Sequence, residues 1–377
     1  MRILHIHQDY PDGSGASKTQ AVKNLLDATA SEHDHFVLSI NRTSNPSKVS
    51  SRRFADGLSV TYWALPLPLV YAPSITLATQ MVRRMLRSEE PFDLVHGHKL
   101  TTEGLWAQEI ARAWGLPYLL SLRGGSDLKN LRRLRLTSRF AKVAAGARRI
   151  FLVSPWAMPK VQQLLGAGAL PTTTLPNICL LPPPPARLER GTRRFCCVAD
   201  LRYLKRKGLP ETIAAICLLR GRGVEICLDI YGGGAAEDVA EVRRLISRFG
   251  LDQHVQICGK LEHEDLLQRL SLYCGFVLAS TNETFGMAYV EALWAGLPII
   301  YMRRTGIDGL VPEDVGIGLD TRSAQTIAEA MHSIYSNQEI YCNAIMKFSH
   351  AGGIEQFSAA AVGKTYCDAL EAIEDFR

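Results

Sequence analysis

A proline-rich break divides an otherwise regular alternation of strand and helix patterns in this chain. Residues 170–186 contain Pro171, Pro176 and a run of four prolines that begins at Pro182. Such a segment cannot continue a helix or a central strand, and it indicates a stiff linker. On both sides of it, short apolar runs alternate with stretches of helical periodicity, as a parallel sheet requires. Because 377 residues exceed what one hydrophobic core usually serves, we predict two doubly wound α/β domains.

The predicted boundaries place the first domain at residues 1–178, the linker at 179–192 and the second domain at 193–356. Ligands of doubly wound sheets bind beyond the carboxyl ends of the strands, so we expect the two sheets to face each other across a cleft. The last helical pattern, within residues 357–377, has no strand after it. We expect this helix to return to the first domain.

The charge distribution and the cysteines indicate an anionic partner and a reducing compartment. Residues 1–190 carry a net charge of +11 and residues 191–377 one of −5, so one face is expected to meet an anion. The nine cysteines show no C-x-x-C spacing and follow no signal-peptide pattern. We interpret them as reduced thiols and expect a cytoplasmic protein, with peripheral attachment to the inner face of the plasma membrane left open.

An uncharged stretch over residues 57–82 is long enough to raise the question of a membrane-spanning helix. Pro66, Pro68 and Pro73 would each remove a helix hydrogen bond, and we therefore reject a span. We predict a strand over residues 60–65 that runs into an apolar loop, and contact of this loop with lipid is the alternative.

Two glutamates eight positions apart carry the strongest chemical pattern. Glu283 falls in a loop after a strand pattern, and Glu291 lies about one turn into the following helix. Between them, Phe285, Gly286 and Met287 would present backbone N–H groups at the start of that helix, where the helix dipole favours an anion such as a diphosphate. The two carboxylates could then accept hydrogen bonds from hydroxyl groups. A helix start at which Glu283 only complements the dipole is the alternative.

Two further clusters follow strand patterns of the second half. The segment from Arg202 to Lys207 holds four cations, which would be available to phosphate oxygens at the carboxyl end of one strand. Gly232 opens a run of three glycines after another strand, where the backbone can approach a ligand closely. A solvated basic loop is the alternative for the first cluster.

Taken in order, these motifs resemble family 4 of the GT-B glycosyltransferases. The resemblance rests on Arg202 to Gly208, Tyr231-Gly-Gly-Gly, Gln256-Ile-Cys-Gly259, the Glu-x7-Glu pattern and Glu291-Ala-Leu-Trp-Ala-Gly-Leu-Pro298. Looser matches in the first half are the Gly13–Gly15 loop, Asp93-Leu-Val-His-Gly-His98 and Ser121-Leu-Arg-Gly-Gly-Ser-Asp127. The resemblance spans nearly the whole chain. It implies two Rossmann-like domains and a retaining transfer from a UDP- or GDP-linked sugar, with no cofactor and no metal ion.

The resemblance also implies roles for individual residues. Glu283 would hold hydroxyl groups of the transferred sugar, and Glu291 would bind the ribose of the donor. Arg202 and Lys207 would neutralise the diphosphate as it leaves, which lowers the energy of a transition state with oxocarbenium character. The remaining donor contacts would come from Gly15, Gly232, Gly259, Lys260, Phe285, Gly286 and Met287.

One position departs from the family pattern. Many relatives have a histidine where this chain has Arg123, and that histidine commonly contacts the transferred sugar. Either His98, at the end of a neighbouring strand, takes the catalytic role, or Arg123 holds an anionic group of the sugar or the acceptor.

Three His-x-His pairs raise the alternative of a metal site: His5 with His7, His33 with His35, and His96 with His98. Residues two apart on a strand share one face, where imidazoles could converge on an ion. No acidic residue falls at an obvious companion spacing, and hydrogen-bonded histidines are the commoner outcome. We therefore predict no metal.

Residues 128–149 give the main indication of the acceptor. They hold eight cations and no acid, interleaved with leucines, and an anionic membrane surface or a lipid-linked, phosphorylated glycan would suit such a stretch. We therefore predict a glycan or lipid-linked glycan acceptor in cell-envelope, lipopolysaccharide or exopolysaccharide biosynthesis. A solvated helix face is the alternative, and we expect no nucleic acid because no recognition module accompanies the stretch.

Two other functions fit parts of the pattern. A nucleotide-sugar epimerase, or a phosphorylase, on the same fold would share the donor motifs. A non-catalytic protein that binds a nucleotide sugar would share them too, but it would show no turnover.

Overall fold

Two sheets organise the chain. The computed structural model describes residues 1–13, 18–182 and 192–374. The first domain comprises Met1–Ile178 together with the segment that begins at Ala359, and the second domain comprises Cys179–Ser358. Each sheet is mainly parallel and carries helices in its crossovers, so the prediction of two doubly wound α/β domains is confirmed.

The first domain contains an eight-stranded sheet. Its strands are β1 (Arg2–His7), β2 (Asp34–Thr43), β3 (Ser50–Phe54), β4 (Gly57–Trp63), β5 (Leu94–Gly97), β6 (Tyr118–Leu122), β7 (Arg149–Leu152) and β8 (Thr172–Thr174). The spatial order is β3-β4-β2-β1-β5-β6-β7-β8, and β3 is antiparallel to β4 while the other pairs are parallel. The central strands are buried on both faces, which explains why they appear in the sequence as short apolar runs.

Six helices connect these strands: α1 (Ala21–Thr29), α2 (Pro68–Met85), α3 (Thr102–Trp114), α4 (Gly125–Leu134), α5 (Thr137–Ala145) and α6 (Met158–Leu165). The core between sheet and helices includes Leu4, Val60, Trp106, Phe140 and Ile150. Gly115 ends α3 with a φ of 70°, the left-handed conformation that glycine adopts without strain.

The prediction of an apolar loop after residue 65 is wrong, because helix α2 begins at Pro68. Pro68 stands in the first turn, where its missing N–H would have no helical partner anyway. Pro73 lies inside the helix and costs one bond, but it faces outward beside the exposed Leu69, where water can reach the freed carbonyl. None of the helices in the described part of the chain combines the length and the apolarity that crossing a bilayer needs.

The second domain contains a six-stranded parallel sheet in the order β11-β10-β9-β12-β13-β14. Its strands are β9 (Arg194–Val198), β10 (Cys227–Tyr231), β11 (Val255–Gly259), β12 (Gly275–Leu278), β13 (Ile299–Met302) and β14 (Gly316–Leu319). Its helices are α7 (Leu204–Lys207), α8 (Leu209–Gly221), α9 (Ala236–Arg248), α10 (His263–Leu270), α11 (Met287–Trp294), α12 (Ala324–Ser336) and α13 (Gln338–His350).

The C-terminal helix α14 (Ala359–Glu374) belongs to the first domain, as predicted. Its Tyr366 is fully buried against Phe151 of β7, with ring centroids 5.3 Å apart, and Leu370 joins the same core. Pro182 lies within the predicted linker, and its carbonyl accepts a hydrogen bond of 2.8 Å from Nε1 of Trp294 in α11. Residues 183–191 lie outside the described residues.

Each sheet has one point at which its strand order reverses. In the first domain β1 and β5 are neighbours there, and in the second domain β9 and β12 are. The connections that follow these two strands run to opposite faces of the sheet. The loops at their carboxyl ends therefore point away from each other and leave a crevice between them. The sites described below lie at these two crevices.

Candidate functional site

A pocket of about 860 Å³ lies at the reversal point of the second sheet. Val198 of β9, Tyr231 of β10 and Leu278 of β12 border it, so it opens beyond the carboxyl ends of the strands. Seven of the residues singled out from the sequence line it together: Arg202, Lys207, Gly232, Lys260, Glu283, Gly286 and Met287. Its volume lies within the range of small-molecule sites.

An ion pair between Lys207 and Glu283 forms the polar centre of this pocket. Each side chain exposes 15% of its surface, so the pair is partly withdrawn from water but reachable by a ligand. The backbone of Glu283 is held by Thr305, whose hydroxyl lies 2.9 Å from its N–H and 3.0 Å from its carbonyl oxygen. Thr305 therefore holds the backbone of Glu283 in place, and Lys207 holds its carboxylate.

Arg202 is exposed and held by a neighbour that sequence reasoning missed. Its Nε lies 3.0 Å from Asp200 Oδ1 and its Nη2 lies 2.6 Å from Asp200 Oδ2, which is a bidentate geometry. The hydrogen bond from Arg202 lowers the pKa of Asp200, so this carboxylate stays ionised. A signal was present in the sequence, since Asp200 stands two residues before Arg202 in the loop after β9.

The glycine run after β10 packs directly on the loop after β9. Gly232 has a φ of 132°, and a Cβ atom there would lie 1.8 Å from the carbonyl oxygen of Ala199. Its N–H donates to the carbonyl of Gly259 at 2.8 Å, and Leu201 N–H donates to the carbonyl of Gly233 at 2.9 Å. Only glycine at position 232 allows these loops to meet and form one wall of the pocket.

Helix α11 begins at the pocket with Gly286, whose φ of 83° again requires glycine. Phe285 and Glu291 do not border the pocket in this conformation. Phe285 is buried with its ring 5.7 Å from that of Phe357. Glu291 is 7% exposed and accepts a hydrogen bond from His263 Nε2 at 3.1 Å, while burial raises the pKa of its carboxyl group.

The first-domain candidates Arg123 and His98 lie beside each other at the carboxyl ends of β6 and β5. Arg123 Nε donates to the carbonyl of His98 at 3.2 Å, and its Nη1 donates to Asn177 Oδ1 at 3.3 Å. Both side chains are almost wholly buried, and burial lowers the pKa of Arg123 from its usual value. Gly15 lies outside the described residues.

Histidines from the predicted pairs cluster around His98. Ring nitrogens of His5, His96 and His98 lie within 4.8 Å of one another, and burial lowers the pKa of all three, so they are neutral as metal ligands must be. Hydrogen bonds already engage most of these atoms. His5 Nδ1 pairs with His98 Nε2 at 3.0 Å, and the nitrogens of His96 pair with Tyr366 and Ser121 at 2.9 Å each.

The basic stretch 128–149 forms α4, α5 and the turn into β7. Its apolar members pack into the core of the first domain: Leu131, Leu134, Phe140 and Val143. Lys129, Arg132, Arg133 and Arg135 are exposed. The stretch therefore offers charge at the surface, while Leu131 and Leu134 are buried and Leu128 and Leu136 are partly buried against the same core.

A second surface of the first domain combines charge with apolar side chains. A groove of about 1390 Å³ is bordered by Thr76 of α2, by the cations Arg112, Arg139, Lys142 and Arg148, and by the acids Asp93 and Glu109. Glu109 forms ion pairs with Arg112 at 2.9 Å and with Arg139 at 2.8 Å, whereas Lys142 and Arg148 are exposed. On α2, Leu77 follows Thr76 directly and is 70% exposed, and Leu69 two turns earlier is 89% exposed. A cationic groove thus adjoins an exposed apolar helix face.

Comparison with known proteins identifies the fold and the family. Residues 18–178 match the family model described as "Glycosyl transferase 4-like domain", and residues 187–348 match "Glycosyl transferases group 1". An uncharacterized glycosyltransferase of Bacillus subtilis is 24% identical over 267 residues, which cover 69% of this chain and 72% of that protein.

Solved structures show the same architecture. Sucrose-phosphate synthase from Thermosynechococcus elongatus superposes with a TM-score of 0.72 at 17% identity, over all of both chains. The Anabaena protein HepE in complex with UDP-glucose superposes with a TM-score of 0.65 at 16% identity, over 99% of this chain and 100% of that one. These likenesses establish the GT-B fold.

Proposed function

The chain belongs to family 4 of the GT-B glycosyltransferases, and we propose that it transfers a sugar from a nucleoside diphosphate sugar to a glycan or lipid-linked glycan, with retention of the anomeric configuration. The observation that carries this proposal is the second-domain pocket. There the Lys207–Glu283 pair, the fixed glycine loop and the start of α11 lie together. HepE, which has the same fold, was solved with UDP-glucose, and this favours a UDP-linked donor.

The diphosphate would bind where cations and backbone amides converge. Lys207 and Arg202 would contact phosphate oxygens, and the N–H groups at the start of α11 would add the favourable end of the helix dipole. Binding would draw Lys207 away from Glu283, leaving the carboxylate free to accept hydrogen bonds from sugar hydroxyls. Lys260 would lie near the base.

Glu291 requires a small rearrangement to reach the ribose. Its partner His263 is half exposed and could yield to a ribose hydroxyl, which would take over the hydrogen bond to the buried carboxylate. Burial raises the pKa of Glu291, and a ribose hydroxyl that donates to the carboxylate would favour its ionised form, as the hydrogen bond from His263 does here.

In the transfer itself, the bond between the anomeric carbon and the diphosphate breaks and the nucleoside diphosphate leaves with the electron pair. The acceptor oxygen forms the new bond to the same face of the anomeric carbon and passes its proton to the departing diphosphate. Lys207 and Arg202 would stabilise the negative charge that develops on the leaving group, so the protein's own cations do this work and we propose that no metal ion is needed.

A panel of nucleotide sugars tests the proposal. Thermal stabilisation and calorimetry would identify the donor, and product analysis with and without glycan acceptors would follow its fate. We expect one donor to bind and to yield free nucleoside diphosphate. An epimerised sugar nucleotide would instead establish the epimerase alternative, and binding without turnover would establish a non-catalytic protein.

A matched pair of variants links the activity to the pocket. Glu283→Gln removes the carboxylate that would hold the sugar, and should reduce turnover by at least a hundredfold. Glu313→Gln changes an exposed glutamate of the same domain that pairs with Arg303, and should leave turnover unchanged.

We further propose that the acceptor is presented at an anionic membrane. The exposed cations of residues 128–149, which include Lys142 and Arg148 at the groove, would attract anionic lipid, and the exposed face of α2 would supply the apolar contact. Charge alone gives weak and salt-sensitive attachment, so both parts would be needed.

Sedimentation with vesicles separates these contributions. Binding to anionic vesicles should fall when Arg132, Arg133 and Arg135 are all replaced by Glu, and also when Leu69 and Leu77 are both replaced by Ser. The matched control replaces the exposed Arg243, Arg244 and Arg248 of α9 by Glu, and should bind as the unmodified protein does. Unchanged partitioning of the first two variants would remove the membrane proposal.

A further inference from the structure

The reversal point of the first sheet carries two histidines whose hydrogen bonding is incomplete. His7 ends β1 and His98 follows β5, so both stand at the carboxyl ends where this fold binds ligands. Their rings are fully buried and nearly perpendicular, with centroids 5.5 Å apart. Among the described residues, His98 Nδ1 and His7 Nε2 have no hydrogen-bond partner. Each such buried atom costs about 1–3 kcal/mol unless a ligand satisfies it.

A chain of hydrogen bonds fixes which nitrogen of His98 carries the proton. The chain begins at Thr29, whose hydroxyl lies 2.9 Å from the carbonyl of Leu25 and donates its single proton there. Toward His35 Nε2, also at 2.9 Å, the Thr29 oxygen can therefore only accept. His35 must carry its proton on Nε2.

The hydrogen bonds of the next two histidines run in the same donor-to-acceptor direction. Burial lowers the pKa of His35 to about 4 and lowers those of His5 and His98 well below their usual value, so each ring is neutral and has one bare nitrogen. His35 Nδ1 accepts from His5 Nε2 at 2.9 Å, and His5 Nδ1 accepts from His98 Nε2 at 3.0 Å. His98 thus carries its proton on Nε2, and its Nδ1 is a bare acceptor.

His7 has its unpaired nitrogen protonated, so that this nitrogen is a donor where that of His98 is an acceptor. The backbone N–H of Asp9 donates to His7 Nδ1 at 3.1 Å, so that nitrogen is bare. Burial and the nearby Arg123, Lys99 and Lys18 lower the pKa of His7, which keeps the ring neutral. The remaining proton lies on Nε2, which is a donor.

We propose that His98 Nδ1 and His7 Nε2 form a binding site for one sugar hydroxyl group, which donates to the first nitrogen and accepts from the second. The site rests on the proposed transferase function, which supplies the sugar. His5, His35 and Thr29 are positioning residues, because they hold the acceptor nitrogen of His98 toward the ligand without touching it. A water molecule has the same hydrogen-bonding chemistry, and the kinetic arm of the test below separates the two.

The tautomer of His98 can be measured without any substrate. Long-range proton–nitrogen correlation spectra of protein labelled with nitrogen-15 in its ten histidines distinguish a protonated from a bare ring nitrogen. We expect the Nε2-protonated form of His98. His35→Phe should produce a mixture, because His5 then has no acceptor to fix its polarity.

Two variants serve as controls for this spectrum. His35→Gln keeps an amide donor for Thr29 and an acceptor for His5, and should preserve the tautomer. Ser121→Ala removes a partner of His96, which lies outside the chain of hydrogen bonds, and should preserve it too. An Nδ1-protonated His98 in the unmodified protein, or a tightly bound metal ion on His5, His96 and His98, would overturn the proposal.

The kinetic arm identifies the ligand. If the pair binds a sugar hydroxyl, His35→Phe should lower kcat/KM of transfer in proportion to the fraction of His98 that keeps its proton on Nε2, about twofold for an even mixture. His35→Gln should restore most of it, and donor affinity in the second-domain pocket should persist in both variants. A shifted tautomer with unchanged kcat/KM would assign the site to water and overturn the sugar assignment. Failure of the transferase function would show separately, as absence of turnover in the unmodified protein.

Discussion

Acid should destabilise the first domain through its buried histidines. Burial lowers the pKa of His35 to about 4 and that of His96 to about 3, against 6.5 for an unperturbed histidine. Well above pH 6.5 the rings are neutral in both the folded and the unfolded chain, so the free energy of unfolding does not depend on their titration. As the pH falls below this value, the unfolded chain binds protons that the folded domain excludes, so stability falls.

The size of the effect follows from the difference in pKa. For His35 that difference corresponds to a total of about 3 kcal/mol, of which about 2 kcal/mol is lost by pH 5. His35→Gln removes this titration and keeps a donor for Thr29 and an acceptor for His5. Between pH 7 and pH 5 the variant should therefore lose about 2 kcal/mol less stability than the unmodified protein.

Urea unfolding followed by tryptophan fluorescence measures this difference, since four of the five tryptophans belong to the first domain. Midpoints and slopes at pH 7, 6 and 5 give the free energy of unfolding at each pH. Equal losses in the variant and the unmodified protein would refute the reasoning, because His35 would then titrate alike in both states.

Two further predictions concern the second-domain pocket. Lys207→Met leaves Glu283 without its cation and should weaken donor binding in calorimetry at least tenfold, whereas Lys205→Met should not. Gly232→Ala places a Cβ atom 1.8 Å from the Ala199 carbonyl oxygen at a φ of 132°, and should lower the melting temperature and abolish donor binding. The control Gly221→Ala, which meets no atom within 4 Å, should melt at or above the original temperature.

The alternation of strands and helices was predictable because the buried strands of a parallel sheet are apolar on both faces and their crossovers are amphipathic. The convergence of Lys207, Glu283 and Gly286 followed from the same pattern, since residues that end neighbouring strands meet at one edge of the sheet. The resemblance to family 4 added the roles, and the roles are proposals that the variants above test.

The sequence predicted an apolar loop where the structure has helix α2. The prediction treats Pro66, Pro68 and Pro73 alike as helix breakers, but Pro68 stands in the first turn, where a proline costs no hydrogen bond. Whether Pro73 is tolerated depends on which face of the helix it occupies, and that is decided by tertiary packing.

The histidine chain could not have been predicted from spacing. His5 and His98 meet because β1 and β5 are neighbours in the sheet, and His35 joins them because β2 flanks β1 on the other side. Strand order is a property of the whole domain, so the His-x-His pairs indicated a cluster without indicating its members. The link between Asp200 and Arg202 was missed for a simpler reason, since it depends on the turn that the loop adopts.

The anomeric configuration of the product tests the central claim most directly. Incubating the chain with its donor and following the first sugar released by proton NMR, before mutarotation, reports both turnover and stereochemistry. The account predicts free nucleoside diphosphate and a sugar that keeps the configuration of the donor, both lost in Glu283→Gln and kept in Glu313→Gln. Release of the inverted anomer, or full turnover in Glu283→Gln, would contradict it.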